Sequence, residues 1–359
     1  MTDERLSAEP FFSRFFKKPE FTSVVGVVGV FLVFFAIADD AMFNLEGVLS
    51  WTEQAALIGI LAVGACLLMI GGEFDLSVGS MIGFSGMVMA IMTVEYGIPA
   101  WISIISAFII ACSIGFLNGY IVVKTKLPSF IVTLASLFIL RGLTVAISRM
   151  LTNQTLVGGV NEASEGDWLA SLFGGEAFTG LFLYLADLGI IEKFADGTPV
   201  VTGIKMLLVW WVGLTIIGII ILRLTKYGNW IYATGGDEQA SKNMGVPTDK
   251  VKIMLFMGTA FCATVFAACQ VFDYGSADAQ RGLLKEFEAI IAVVMGGALL
   301  TGGYGTVIGA CLGALIFGIV NIGISYTAID SDWFRVFLGM MLLGAVMLSN
   351  SVRKKIMRS

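Results

Sequence analysis

The chain has 359 residues, 57% of them hydrophobic and only 14% charged, with a formal net charge of −5 and a mean hydropathy of +0.89. A soluble domain is nearer about 45–50% apolar and about 25% charged, so too little polar surface is present to face water over most of the molecule. That excludes two or three water-soluble domains and makes the membrane span, about 20 residues, the structural unit. The expected fold class is an all-α integral membrane protein. Histidine is absent, which removes the commonest acid–base group and metal ligand. Cys66, Cys112, Cys262, Cys269 and Cys311 all lie inside apolar runs without metal-binding spacing and read as small buried hydrophobes. No catalytic residue and no metal site is expected, and no nucleic acid is expected as a partner.

Residues 1–20 form an N-terminal segment. Asp3 and Glu4 sit where a signal peptide would be cationic, so no cleavable signal is expected. FFSRFFKK at 11–18 spaces Phe11, Phe12, Phe15 and Phe16 at i, i+4 between Arg14, Lys17 and Lys18. It suits either a short helix on an anionic membrane face or a plain basic flank. A transmembrane domain over 21–350 then holds apolar runs at about 22–42, 54–71, 76–97, 100–123, 128–147, 204–223, 251–271, 289–303, 306–327 and 333–350, about ten helices in all. The run at 289–303 is short and is expected to be a span, either continuous or broken.

Basic residues set the threading. Lys124, Lys126, Arg223, Lys226, Lys242, Lys250 and Lys252 fall on one side, as do Arg353, Lys354, Lys355 and Arg358 of the basic tail 351–359. The long segment 148–203 carries Glu162, Glu165, Asp167, Glu176, Glu192 and Asp196 with few cations, and the turn AIDSD at 328–332 has none. This positive-inside bias puts the N- and C-termini in the cytoplasm and 148–203 outside. Arg141 is expected to snorkel to the outer interface.

Two runs are interrupted by glycine. In MIGGEFDLSVGSMIG at 69–83, Gly71 and Gly72 suit a left-handed helix end and Asp75 suits a cap on the next helix. In VMGGALLTGGYGTVIG at 294–309 the pattern returns: GSMIG (79–83) matches GTVIG (305–309), with the preceding glycine pairs also about 225 residues apart. Such echoes suggest a duplicated half with a site at the interface between halves, unless the glycines serve only close helix packing. Breaks of this kind survive in a membrane only where protein covers the backbone or water reaches it. Glu73, Phe74, Asp75, Ser77, Asn118, Thr133, Ser136 and Asn321 are candidates for lining a hydrated translocation path, with hydrogen bonds between helices the other reading of the polar ones.

The loop at 224–250 is the longest inside segment. Asp237, after Gly235 and Gly236, caps a predicted short helix DEQASKNM that Gly245 ends, with Pro247 beyond. Such a helix has no core of its own and is either a spacer or a docking surface. The stretch Gly235-Gly236-Asp237-Glu238-Gln239-Ala240-Ser241-Lys242-Asn243-Met244-Gly245-Val246 resembles the cytoplasmic coupling loop of ABC importer permeases. GGEFDLSVGS (71–80), PSFIVTLASLFILRGL (128–143) and EFEAIIAVVMGGALLTGG (286–303) are similar to blocks of the ribose/xylose/arabinose-type sugar importer permeases. The resemblance implies a homodimeric permease in the bacterial inner membrane, two cytoplasmic ATPase subunits that bind ATP-Mg, and a periplasmic sugar-binding protein. Gly235, Asp237, Glu238, Ala240 and Gly245 are then the ATPase-coupling residues. Glu73, where the family commonly has an apolar residue, and the length of 148–203 depart from that pattern. No G-x-x-x-x-G-K-[ST] occurs, so no cofactor is expected in this chain and any ATP drive comes from a partner. GFSG at 83–86 lacks a histidine base, and GGYGTVIG is too widely spaced for a dinucleotide fingerprint. The other readings that remain are an ion-coupled secondary transporter using Glu73 and Asp75, and an ABC importer for a nucleoside, polyol or signal molecule.

Overall fold

The computed structural model describes residues 20–356. FFSRFFKK at 11–18 and positions 357–359 of the basic tail lie outside them. Among the described residues, seven helices are long and apolar enough to cross a membrane: α2 (Leu45–Ile70), α3 (Val78–Ala90, continued by a π-turn Ile91–Glu95), α4 (Ala100–Thr125), α5 (Ser129–Thr152), α9 (Met206–Leu224), α12 (Thr248–Tyr274) and α14 (Val307–Ser325). α1 (Glu20–Ile37) carries the shorter apolar stretch Ser23–Ile37, and α15 (Phe334–Ile356) ends the described chain. The run expected at 289–303 is not one continuous span. Its helix α13 (Lys285–Met295) has 11 residues, about 16 Å at 1.5 Å per residue, after which the chain is non-helical until α14.

Burial ranks these elements. In α2, 83% of the apolar window is buried, against 22% in α5, so α2 is the central rod and α5 lies at the periphery. Where α2 meets its neighbours, missing side chains allow contact: the indole of Trp211 lies on Gly59, and Thr259 and Cys262 lie on Gly64. All five cysteines are free; Cys66, Cys262 and Cys269 are buried, and Cys112 and Cys311 half-buried.

The two glycine breaks are the same structure. Gly71 (φ −69°, ψ −3°) and Gly296 (φ −68°, ψ −2°) end α2 and α13, and Gly72 and Gly297 follow at φ +86° and +87°. Gly72 N–H donates to Met69 O (3.0 Å) and Glu73 N–H to Leu68 O (3.2 Å), while Gly297 N–H donates to Val294 O (2.9 Å) and Ala298 N–H to Val293 O (3.2 Å). Both are Schellman ends, in which a left-handed residue lets the next two amides fold back on the helix carbonyls. The return to helix differs: α3 starts at Val78 but α14 only at Val307. Gly79 is therefore inside a helix, whereas its sequence counterpart Gly305 precedes one.

These breaks meet each other and the loop. Gly303 N–H donates to Ile70 O at 2.8 Å. A Cβ on Gly302 would stand 2.8 Å from both Gly72 Cα and Gly235 O, and one on Gly235 would overlap the Ile70 carbonyl. Backbone thus lies on backbone where the two breaks and the loop converge.

At the opposite end of the bundle, 153–205 is an ordered cap. Strand β1 (Leu156–Gly158) pairs antiparallel with β4 (Ser276–Asp278), and β2 (Glu176–Ala177) with β3 (Ile204–Lys205). Between them lie short helices α6 (Val160–Ala163), α7 (Trp168–Gly174) and α8 (Thr179–Asp187). α7 docks on the bundle through Phe173, stacked on Trp210 at 4.8 Å, and through Trp210 Nε1, which donates to Leu172 O at 2.8 Å. Lys205 sits between Glu53 (3.2 Å) and Asp273 (3.1 Å), joining the start of α9 to α2 and α12. Arg141 does not simply snorkel outward: it is half-buried and its guanidinium donates to Ala279 O at 3.4 Å.

Because an L-residue resists the left-handed region by about 1–2 kcal/mol, Gly72→Ala and Gly297→Ala should each lower the thermal unfolding midpoint in detergent. Gly236→Ala, whose added Cβ would meet nothing within 4 Å, should leave it unchanged.

Candidate functional site

Segment 71–77 leaves α2 with amides that helix geometry cannot satisfy, and α5 supplies their partners. Phe74 N–H donates to Ser129 Oγ and Leu76 N–H to Thr133 Oγ1, each at 3.0 Å. The Thr133 hydroxyl donates back to Ser129 O at 2.9 Å. Short hydroxyl side chains on one peripheral helix therefore replace the missing helical bonds.

Asp75 does not cap the first turn of α3 in the expected way. Its Oδ1 accepts from the amide (2.9 Å) and the hydroxyl (2.6 Å) of Ser77, the residue just before the helix. Its Oδ2 accepts from Thr259 Oγ1 at 2.6 Å, on α12. The chain of donors extends outward: Asn118 Nδ2 donates to Ser77 Oγ (3.2 Å), and Ser136 Oγ donates to Asn118 Oδ1 (2.5 Å). Every proton in this series points towards the Asp75 carboxylate. Asp75, Ser77, Asn118 and Ser136 thus belong to one network across the break, α4, α5 and α12, while Thr133 and the Phe74 backbone belong to the adjoining set of bonds between the break and α5. Asn321, half-buried on α14, is not brought to it. Beside the network, a cavity of about 10 Å³ is lined by Asp75, Thr259 and the buried Glu286, whose carboxylate lies against Gly79.

Glu73 belongs to a second, ionic chain. Its carboxylate meets Lys252 Nζ at 2.5 Å, and the same ammonium meets Glu238 at 2.5 Å. Glu238 also pairs with Lys242 (2.7 Å), which pairs with Asp249 (2.9 Å). Charges alternate along Asp249, Lys242, Glu238, Lys252 and Glu73.

The loop helix stands where the sequence predicts it. α11 (Glu238–Asn243) is capped by Asp237, whose carboxylate accepts from Ala240 N–H at 2.9 Å, and the chain turns away through Gly245 at φ +83°. A second helix that the sequence reading missed, α10 (Lys226–Gly236), precedes it, capped by Thr225. Gln239, Ala240, Asn243 and Met244 are exposed, Met244 at 84%, while Ser241 is buried and Glu238 half-buried towards Lys252. Partial burial pulls the Glu238 carboxyl up, but hydrogen bonds from Lys242 and Lys252 outweigh it and hold the group below its ordinary 4.5. Hydrogen bonds to Glu238 and Asp249 lift Lys242 above its ordinary 10.5. Sequence reasoning missed Ser129, Thr259 and Lys252. The one available signal was a lysine at the mouth of an apolar run, which it read only as a flanking charge.

A buried, helix-broken bundle with a capped helix exposed at one end defines a membrane transport subunit. The family model described as the branched-chain amino acid transport system / permease component matches residues 47–346. The xylose transport system permease protein of Haemophilus influenzae is 30% identical over 357 residues, covering 91% of this chain and 95% of that one. The xylose transport system permease protein of Escherichia coli K12 is 28% identical, covering 93% and 92%, and its ribose import permease protein is 29% identical, covering 98% and 99%. No solved structure matches the chain. The chain belongs to this family of ABC transporter permeases.

Two outcomes are expected. Thr259→Val strips one oxygen of Asp75 of its donor and should destabilise the purified chain by about 1–3 kcal/mol, read by denaturant unfolding. A carboxyl held below 4.5 stabilises the fold fully above that pH, and the contribution disappears as pH falls through the lowered value. The tryptophan-detected unfolding midpoint should therefore start to lose the Glu238 contribution only below pH 4.5, and Glu238→Gln should make that acid limb shallower.

Proposed function

We propose that this chain is the membrane subunit of an ATP-driven importer for a monosaccharide, with pentoses the favoured class. It sits in the bacterial inner membrane as a homodimer, with both termini in the cytoplasm. The 153–205 cap faces the periplasm and receives sugar from a binding protein. The loop 224–250 faces two cytoplasmic ATPase subunits, which bind ATP-Mg and supply the drive. The observation that carries this reading is α11: a capped helix with no core of its own, exposed along Gln239, Ala240, Asn243 and Met244 yet ion-paired to the bundle through Glu238. A spacer would need neither the cap nor the tie. Xylose and ribose are named for the curated relatives, which favours a five-carbon sugar although the family description concerns branched-chain amino acids.

The ion-coupled reading fares less well, because both its carboxylates are engaged. Asp75 accepts three hydrogen bonds and Glu73 pairs with Lys252.

Purification of the tagged chain from its native host in mild detergent should bring down an ATPase subunit. Met244→Asp and Ala240→Glu, which touch nothing inside the bundle, should abolish that co-purification without lowering the yield of folded chain. A chain that purifies alone, and still transports under an ion gradient without ATP, would overturn the reading.

A further inference from the structure

Glu73 and Glu238 are 165 positions apart, in the broken helix and the loop helix, and they share one ammonium. Lys252, at the start of α12, is buried with only 9% of its surface exposed. A buried cation between two carboxylates is held tightly, since removing it strands two like charges in a poorly solvated place. Each cation in the series also has two anions: Lys252 has Glu73 and Glu238, and Lys242 has Glu238 and Asp249. If α11 shifts away from α12, Glu238 keeps Lys242 and Lys252 keeps Glu73, while the exposed Asp249 gives up Lys242 to water, so no buried charge is left alone. The chain of pairs accordingly has two satisfied arrangements that differ in the position of the loop helix relative to the break.

The break is equally prepared to respond. Its flanking amides rest on hydroxyls of α5, and its carboxylate Asp75 rests on Thr259, two turns further along α12 from Lys252. Backbone contact at Gly72, Gly235 and Gly302 leaves no side chain to cushion a displacement.

We propose that Lys252 is the positioning residue that links the loop helix to the broken helix, by sharing its ammonium between Glu238 and Glu73 and releasing Glu238 when the loop helix is displaced. This rests on the reading of α11 as the ATPase-facing element. Glu73 lies off that surface, and its carboxylate meets the loop helix through Lys252.

The test is a double-mutant cycle on ATP hydrolysis by the complete complex with its ATPase subunits, reconstituted in liposomes without sugar. Lys252→Met and Glu73→Gln should each change the basal hydrolysis rate at least threefold in the same direction. The double variant should go no further than the singles, because both cut the same link, and Lys252→Arg should stay within a factor of two of wild type. A purely structural role would give independent losses that multiply and would show in the amount of assembled complex, measured alongside. Unchanged rates in both singles, or multiplying effects in the double, overturn the linkage while leaving the importer reading intact. Absence of any ATPase in the wild-type complex overturns both. Should Lys252→Met not assemble, Lys252→Gln, which also removes the charge but keeps a polar end, replaces it in the same cycle with Glu73→Gln.

Discussion

A helix broken within a bundle leaves backbone amides without helical partners, and the surrounding structure is arranged around satisfying them. Phe74 and Leu76 N–H groups find Ser129 and Thr133 on α5. Gly72 and Glu73 fold back on the carbonyls of α2. The requirement is general in a membrane, where an unpaired backbone group costs several kcal/mol. It explains why α5, exposed along most of its apolar length, buries the hydroxyls of Ser129 and Thr133 in its first turns beside the break. It also explains why the second break abuts the first: Gly303 N–H takes the Ile70 carbonyl that the end of α2 leaves free.

Two polar systems meet at this break and behave differently. Around Asp75 one carboxylate gathers neutral donors from α12 and, through Ser77 and Asn118, from α4 and α5. Such a network is directional and fixes one geometry, because moving any member leaves a buried group unpaired. Around Glu73 the partners are full charges on flexible side chains, and Lys252, Glu238 and Lys242 each have two partners. A rigid hydrogen-bonded junction beside an exchangeable ionic one suits a segment that must hold its shape while its surroundings shift.

Much of this was legible because the signals are local. The caps and stops of α11 are carried by Asp237 and Gly245, which act on residues three or four positions away. The breaks at Gly71-Gly72 and Gly296-Gly297 are equally local, since the left-handed residue bonds back within its own helix, and the 225-residue echo between them survived into matching dihedral angles. What stayed hidden depends on distant partners. Asp75 reads as a cap from its neighbours, whereas its second oxygen is claimed by Thr259, 184 positions away. Lys252 reads as a flanking charge because nothing beside it tells that two carboxylates converge there. The shortness of α13 was masked by an apolar stretch that continues past Met295 without remaining helical. The docking of α7 rests on Phe173 against Trp210, a contact that no pattern within 148–203 announces.

The clamp at Lys205 acquires a further meaning beside the one at Lys252. α2 and α12 run antiparallel through the core, and at each end a lysine bridges acids associated with them: Glu53 and Asp273 through Lys205 at one end, Glu73 and Glu238 through Lys252 at the other. Ion pairs at both ends thus oppose sliding of these two rods along one another. Because Lys205 directly follows the cap and opens into α9, one of these contacts also seats the 153–205 cap on the rods. Alignment of the rods and seating of the cap therefore depend on the same salt-screened charges.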